Sequence, residues 1–177
     1  FSFARKPGAD TCLRPEELNA AGLDSTRVLH VGSLSLTDEP ARSATFAAVE
    51  RAKAAGAVIS YDPNYRAALW PYVDVMKLSD EETALLTDEP DPAAAAAVLL
   101  SRGVKCAAVT LGAEGALVAA ADGMRRVPGF AVNAVDTTGA GDAFWGGFLH
   151  RMLALDKTPD QLTVDDAADC ARWGSAR

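Results

Sequence analysis

The sequence predicts an α/β protein: a doubly wound, mostly parallel sheet flanked by helices. From Arg27 onward, short β-branched runs alternate with alanine-rich runs of helical length, the pattern of βαβ units on a parallel sheet. Several helical runs have a proline or an acidic residue in their first turn, where unsatisfied backbone N–H groups favour them. Of the 177 residues, 49% are apolar, enough for one sizeable core and too many for a disordered or fibrous chain.

Taken in order, Val28–Gly32 is a first strand and Ala41–Ala55 a helix, followed by a strand at Ala57–Tyr61. A third strand, Asp74–Leu78, leads into an acidic helix start at Asp80–Leu86. The run Pro92–Arg102 begins on proline, and its alanines, Ala93–Ala97, are plain helix filler. Strands follow at Lys105–Thr110 and Ala116–Ala119, then helices at Ala140–Ala154 and from Val164 to near the end. One stretch resists this scheme. Only twelve residues, two of them proline, separate the strand ending at Tyr61 from the one beginning at Asp74, whereas a parallel crossover usually needs a dozen or more including a helix. Either the two strands are not parallel neighbours, or residues 70 and 71 are consecutive in number but not joined; the second is the expectation.

The formal net charge of −7 and a sequence pI near 4.8 disfavour a surface built for nucleic acid or anionic lipid. A small neutral or anionic substrate must then be held by a few placed cations or by backbone N–H groups. Cys12, Cys106 and Cys170 lie far apart, with no C-x-x-C and no nearby paired histidines, so neither a zinc site nor a disulfide framework is indicated, and a cytoplasmic setting fits. No apolar run reaches about 18 residues. The start at Phe1 is neither a methionine nor a signal peptide, and the expectation is a fragment.

The strongest motif is DTTGAGDAFWGGF, Asp136 to Phe148. Two threonines, then Gly139, Ala140 and Gly141, lead into an apolar helical run, so successive N–H groups can face outward at the positive end of a helix and cradle an anion. Asp142 follows at once, placed to take a proton from an attacking hydroxyl. A capped helix start accounts for single residues here but not for the whole string. DPNYR, Asp62 to Arg66, stands at the carboxyl end of a strand, where open α/β sheets bind ligands; an Asx-type turn fits it equally. KLSDEE, Lys77 to Glu82, reads as an acidic first helical turn, and VTLGAEG, Val109 to Gly115, as a hairpin signal. His30 and His150 have no partner spacing for metal or triad chemistry and read as structural. No G-x-x-x-x-G-K-[ST] and no early G-x-G-x-x-G is present.

Asp136 to Leu149, with its small pair Gly146 and Gly147, resembles the second signature of the ribokinase-like (PfkB) family of carbohydrate kinases. The resemblance implies a partial kinase domain over 1–177 that handles nucleotide and phosphate, with Gly139, Ala140 and Gly141 as the anion hole and Asp142 as the catalytic base. It implies ATP and Mg²⁺, admits K⁺, and points to a fructokinase-like branch phosphorylating a sugar hydroxyl, best D-fructose to fructose 6-phosphate. Kinases for 2-keto-3-deoxygluconate or nucleosides, and an inactive nucleotide-binding fragment, are the alternatives. DPNYR resembles the family's D-x-N-x-R segment, with Arg66 toward the substrate. Lys77 to Glu82 resembles N-x-x-E, with Ser79 in the asparagine's place, Glu82 holding Mg²⁺ through water and Lys77 on the nucleotide side. Thr110, Gly112 and Gly115 fall in the nucleotide loop. FARKPGAD, Phe3 to Asp10, resembles the region that sets an arginine, here Arg5, against the sugar; a solvated surface arginine is the plainer reading. The family's amino-terminal region and β-sheet lid, a route to homodimers, are missing from this chain, as is the segment that usually follows Ala171 to Ala176. Partners are then a sugar and ATP, with no nucleic acid and no membrane.

Overall fold

The computed structural model describes residues 8–20, 22–64, 69–133 and 135–176. Strands β1 (Val28–Gly32), β2 (Val58–Asp62), β3 (Val75–Ser79), β4 (Cys106–Thr110), β5 (Ala116–Ala120) and β6 (Gly123–Val127) form one sheet in that spatial order. The helices are α1 (Ala41–Ala54), α2 (Asp80–Thr87), α3 (Pro92–Ser101), α4 (Ala140–Ala154) and α5 (Val164–Ser175). β1 to β4 run parallel, as expected, and β4, β5 and β6 form an antiparallel meander. β6 was not foreseen. Its GMRRV sequence puts Arg125 and Arg126 on an exposed edge, where charge discourages further pairing but erases the apolar strand signal.

Side chains alternate between the two faces of the sheet, and each face meets its own helices. Ile59, Tyr61, Met76, Leu78, Ala107 and Val109 pack in one core with Val49 of α1 and Leu99 of α3. Val75, Cys106, Ala108 and Val118 pack on the other side with Phe144, Phe148 and Met152 of α4 and Ala167 and Ala171 of α5. Side chains as large as Ile59, Leu99 and Phe148, fully buried here, contribute about 1.5–3 kcal/mol each. The central strands are buried on both sides, which is why they read as near-continuous apolar runs. All three cysteines are free, and burial pushes the Cys106 and Cys170 thiols up to about 12, which leaves them inert. No helix among the described residues is long and apolar enough to cross a membrane.

Helix starts are set by local chemistry. Asp91 accepts the N–H groups of Ala93 and Ala94 at 3.0 and 2.9 Å, with Pro92 opening α3. Thr163 and Asp166 cap α5 reciprocally. At α4 the cap is Gly139, in the left-handed region at φ 76°, a conformation that favours glycine.

The expected break at residues 70 and 71 is not found. Trp70–Tyr72 is one 3-10 turn, closed by Tyr72 N–H to the Leu69 carbonyl at 2.9 Å and Val73 N–H to the Trp70 carbonyl at 3.3 Å. β2 and β3 are nonetheless parallel neighbours. A twelve-residue connection reaches roughly 40 Å when extended, more than a five-residue strand of about 17 Å requires, so a return without a helix is possible. Its shortness shows in the register: β2 and β3 pair over two positions, Ser60 with Val75 and Tyr61 with Met76, whereas β1–β2 and β3–β4 pair over five.

The α4–α5 contact depends on Gly174, where an added Cβ would stand 2.5 Å from the Phe144 carbonyl oxygen. Gly174→Ala should therefore lower stability by about 1–3 kcal/mol. Gly146→Ala, on the open side of α4 with nothing within 4 Å, should raise it by about 0.5–1 kcal/mol. Urea midpoints of the two variants check the pair; equal midpoints would mean that Gly174 does not set the helix spacing.

Candidate active site

The carboxyl ends of the parallel strands lie along one edge of the sheet, with Gly32 in register with Asp62 and Ser79 with Thr110. This is the edge at which open α/β sheets take ligands, and α4 begins beside it. The turn before α4 uses its polar groups internally. Thr138 N–H donates to Asp136 Oδ1 at 2.8 Å, Ala140 N–H to the Thr137 carbonyl at 3.1 Å, and Ala143 N–H to the Gly139 carbonyl at 2.9 Å. The Thr138 amide holds the Asp136 carboxyl below its ordinary value. The amides of Gly141 and Asp142 are left without an acceptor among the described residues, at the positive end of a fifteen-residue helix. Asp142 itself is exposed.

Directly beneath lies a buried ion pair. Lys77 Nζ from β3 meets Asp62 Oδ2 from the end of β2 at 3.1 Å, both side chains 8% exposed. The same ammonium stands 3.3 Å from where a Cβ on Gly141 would be, so Lys77 reaches under the first turn of α4. Burial raises the Asp62 carboxyl; Lys77 pulls it back down and the nearby Glu82 carboxylate adds to the rise. Asp62 Oδ1 has no hydrogen-bond partner, a buried acceptor of the kind a ligand or water satisfies.

Glu82 is buried and accepts both the backbone N–H and the hydroxyl of Ser79 at 2.9 Å, so it caps α2 as the acidic first turn implied. Its field still reaches Asp62. Among the described residues no three His, Cys, Asp or Glu side chains converge to hold a metal.

The anticipated site residues separate into groups. Gly139, Gly141, Asp142, Lys77 and, more distantly, Glu82 gather at the start of α4. Ala140 belongs to the same turn, but its N–H is committed to Thr137, so Gly141 and Asp142 supply the open amides. Thr110 sits at the end of β4 with its hydroxyl on the Leu78 carbonyl at 3.3 Å. Gly112 stands in open space. Gly115 is explained by packing, because a Cβ would stand 2.1 Å from the Val127 carbonyl oxygen. Arg5 and Arg66 lie outside the described residues. A cavity of about 280 Å³ opens at the ends of β1 and β2, lined by Asp10, Gly32, Ser33, Leu34, Ser35 and Asn64.

Sequence reasoning missed Asp62 as the partner of Lys77, and it set His30 aside. His30 Nδ1 lies 3.0 Å from Ser60 Oγ, and Trp145 Nε1–H donates to the same oxygen at 2.8 Å. Burial lowers the His30 imidazole, while Asp62 and Asp142 pull it up. The available signal was a serine and a lysine standing between apolar neighbours inside the strands Val58–Asp62 and Val75–Ser79.

A sequence profile described as pfkB family carbohydrate kinase matches residues 2–176. The chain belongs to this family. PfkB relatives include a probable fructokinase-4 of Arabidopsis thaliana, 41% identical over 184 residues, covering 95% of this chain and 55% of that protein. Fructokinase-1 of Zea mays is 41% identical over 177 residues, covering 92% and 54%. A fructokinase of Vibrio cholerae, solved with fructose, ADP and calcium ion bound, superposes with a TM-score of 0.83 at 34% identity, covering 98% of this chain and 59% of that one. An aminoimidazole riboside kinase of Salmonella enterica, complexed with aminoimidazole riboside and an ATP analogue, gives 0.78 at 28% identity, covering 99% and 62%. The chain thus spans about half the length of its plant relatives. The PfkB assignment agrees with the doubly wound frame.

Two outcomes follow. Lys77→Met leaves a buried carboxylate unpaired and should cost about 3–5 kcal/mol, most of it recovered in Asp62→Leu/Lys77→Met. Denaturant titration of single and double variants checks this; a double variant no better than the single would show that the pair is not the unit. For His30 the folded pKa lies below the unfolded value of about 6.5, so the unfolded chain binds the proton first. Stability should be full above that value and fall as pH drops through the folded pKa. His30→Gln should flatten this part of the Tm–pH curve.

Proposed function

We propose that this chain is the nucleotide- and phosphate-handling part of an ATP-dependent sugar kinase acting on a ketose, with D-fructose to fructose 6-phosphate the best reading. The observation that carries it is the start of α4, where the open amides of Gly141 and Asp142, the Asp142 carboxylate and the buried Lys77 ammonium come together. Sequence likeness to proteins named fructokinases and structural likeness to a fructokinase solved with fructose and ADP support the choice of sugar. A riboside is the second reading, favoured by the likeness to the aminoimidazole riboside kinase.

In this mechanism Asp142 takes the proton of the sugar's primary hydroxyl as that oxygen attacks the γ-phosphorus of ATP, and ADP leaves. The Gly141 and Asp142 amides donate to the transferring phosphoryl oxygens, where negative charge is concentrated. Asp142 reaches the acceptor from the same turn that binds the phosphoryl group, so positioning supplies much of the rate. Glu82, capped and rigid, would hold Mg²⁺ through water, and the ion when bound would neutralise phosphate charge. Thr110 and Gly112 would border the nucleotide, and Arg5 and Arg66 would face the sugar. K⁺ dependence, a cytoplasmic setting and homodimers formed through a lid belong to the same proposal.

A sugar panel on the longest natural form of the protein tests the substrate; ribosides turned over and fructose refused would favour the second reading. Asp142→Asn keeps the shape and loses the base, so kcat should fall by roughly 10²–10⁴ with ADP affinity nearly unchanged. A variant of near-normal turnover would remove Asp142 from the role of base.

A further inference from the structure

The hydroxyl of Ser60 links three elements. It lies on β2, fully buried, opposite His30 on β1 in the parallel register. Trp145, three residues beyond Asp142 on α4 and stacked on Phe148 at 4.7 Å, donates its indole N–H to Ser60 Oγ at 2.8 Å. An indole nitrogen can only donate, so Ser60 Oγ accepts there. Among the described residues its own proton has one acceptor, His30 Nδ1 at 3.0 Å, and beyond these two the Ser60 hydroxyl makes no other hydrogen bond there. A proton on Nδ1 would aim two donors at one oxygen and strand a buried hydroxyl proton, a loss equivalent to about tenfold or more in the equilibrium. The chain therefore runs Trp145 N–H to Ser60 O–H to His30 Nδ1. His30 is then neutral, with its proton on Nε2, and the charges whose fields it feels are Asp62, Asp142 and Lys77.

We propose that Ser60 and Trp145 are positioning residues: their hydrogen bond seats the first turns of α4, and with them Asp142 and the open amides, on the sheet, and it holds His30 in the Nε2–H tautomer. This rests on the reading of α4 as the phosphoryl site. Neither residue touches the reacting atoms. Interdigitated packing holds α4 against the sheet and α5, and a directed hydrogen bond adds a fixed point that non-directional dispersion contacts do not supply. A hydrogen bond one turn into the helix fixes both its height and its rotation.

The test uses the chain as it stands, with Ser60→Ala, which breaks both links, and Trp145→Phe, which keeps an aromatic ring against Phe148 but loses the indole N–H together with part of the buried ring system. Nitrogen-15 NMR of the imidazole should show a single Nε2–H form in the unaltered protein and in Trp145→Phe, and a mixture in Ser60→Ala. Exchange of the Ala143 amide, bonded to Gly139 at the start of α4, should quicken about fivefold in both variants. The Ala167 amide of α5, bonded to Thr163, should keep its rate. Titration with inorganic phosphate, followed at the Gly141 and Asp142 amides, should show binding weakened severalfold in both variants. Proportional acceleration at Ala143 and Ala167 would reduce the bond to general stability and overturn the proposal, as would a proton on Nδ1 in the unaltered protein. Phosphate binding of equal strength in all three proteins would overturn the positioning role alone. No phosphate shift at Gly141 and Asp142 in the unaltered chain would overturn the phosphoryl-transfer reading beneath it.

Discussion

Lys77 and Asp62 meet at 3.1 Å in the interior, and the candidate site is arranged around the need to keep that pair together. A charge removed from water is costly unless it is matched, and Lys77 is the one buried cation among the described residues. The match requires β2 and β3 to be parallel neighbours, because Asp62 ends the first and Lys77 lies in the second. It also constrains what lies above. The ammonium stands 3.3 Å from the Cβ position of residue 141, so a side chain there would press on Lys77 and the glycine leaves it room under the first turn of α4. A helix start and an ammonium are both positive, and Asp62 is what lets them be adjacent.

Helix α4 is consequently held from several sides. Gly174 lets α5 approach the Phe144 carbonyl, Phe144 and Phe148 fill the core on that face, and Trp145 reaches Ser60 on β2. The groups read as chemical thus stand on a packed helix and two buried strands. The cavity beside them is lined from the 3-10 turn after β1 and from Asn64 beyond β2. Under the proposed function, a rigid phosphate side and a loop-built substrate side would suit a fold in which one transfer chemistry serves different acceptors.

With a net charge of −7, the chain has no broad positive field to gather an anion, and under the proposed function the attraction would come from two open amides and one ammonium sheltered from solvent. Low local dielectric makes a few such groups effective. The same shelter makes their mismatches costly, which is why Asp62 is needed at all.

The sequence alone determined the strands and helices whose signals are local. Apolar strand runs, proline and acidic helix starts, and the glycines before α4 placed ten of the elements within a residue or two, and the string from Asp136 to Leu149 marked the candidate turn and the family. These features depend on residues close together in the chain, so their physics can be read in order. Tertiary structure decided the rest. β6 is held by pairing with β5 and not by its own polar sequence, and the helix-free path from β2 to β3 depends on reach and pairing that periodicity does not encode. That Lys77 is paired with Asp62, fifteen positions away along the chain, is visible only in the fold. Ser60 carries no sign of its partners in the sequence, and His30 and Trp145 converge on its hydroxyl from a neighbouring strand and a distant helix. A buried polar group takes its meaning from its partners, and those partners are brought to it only by the fold.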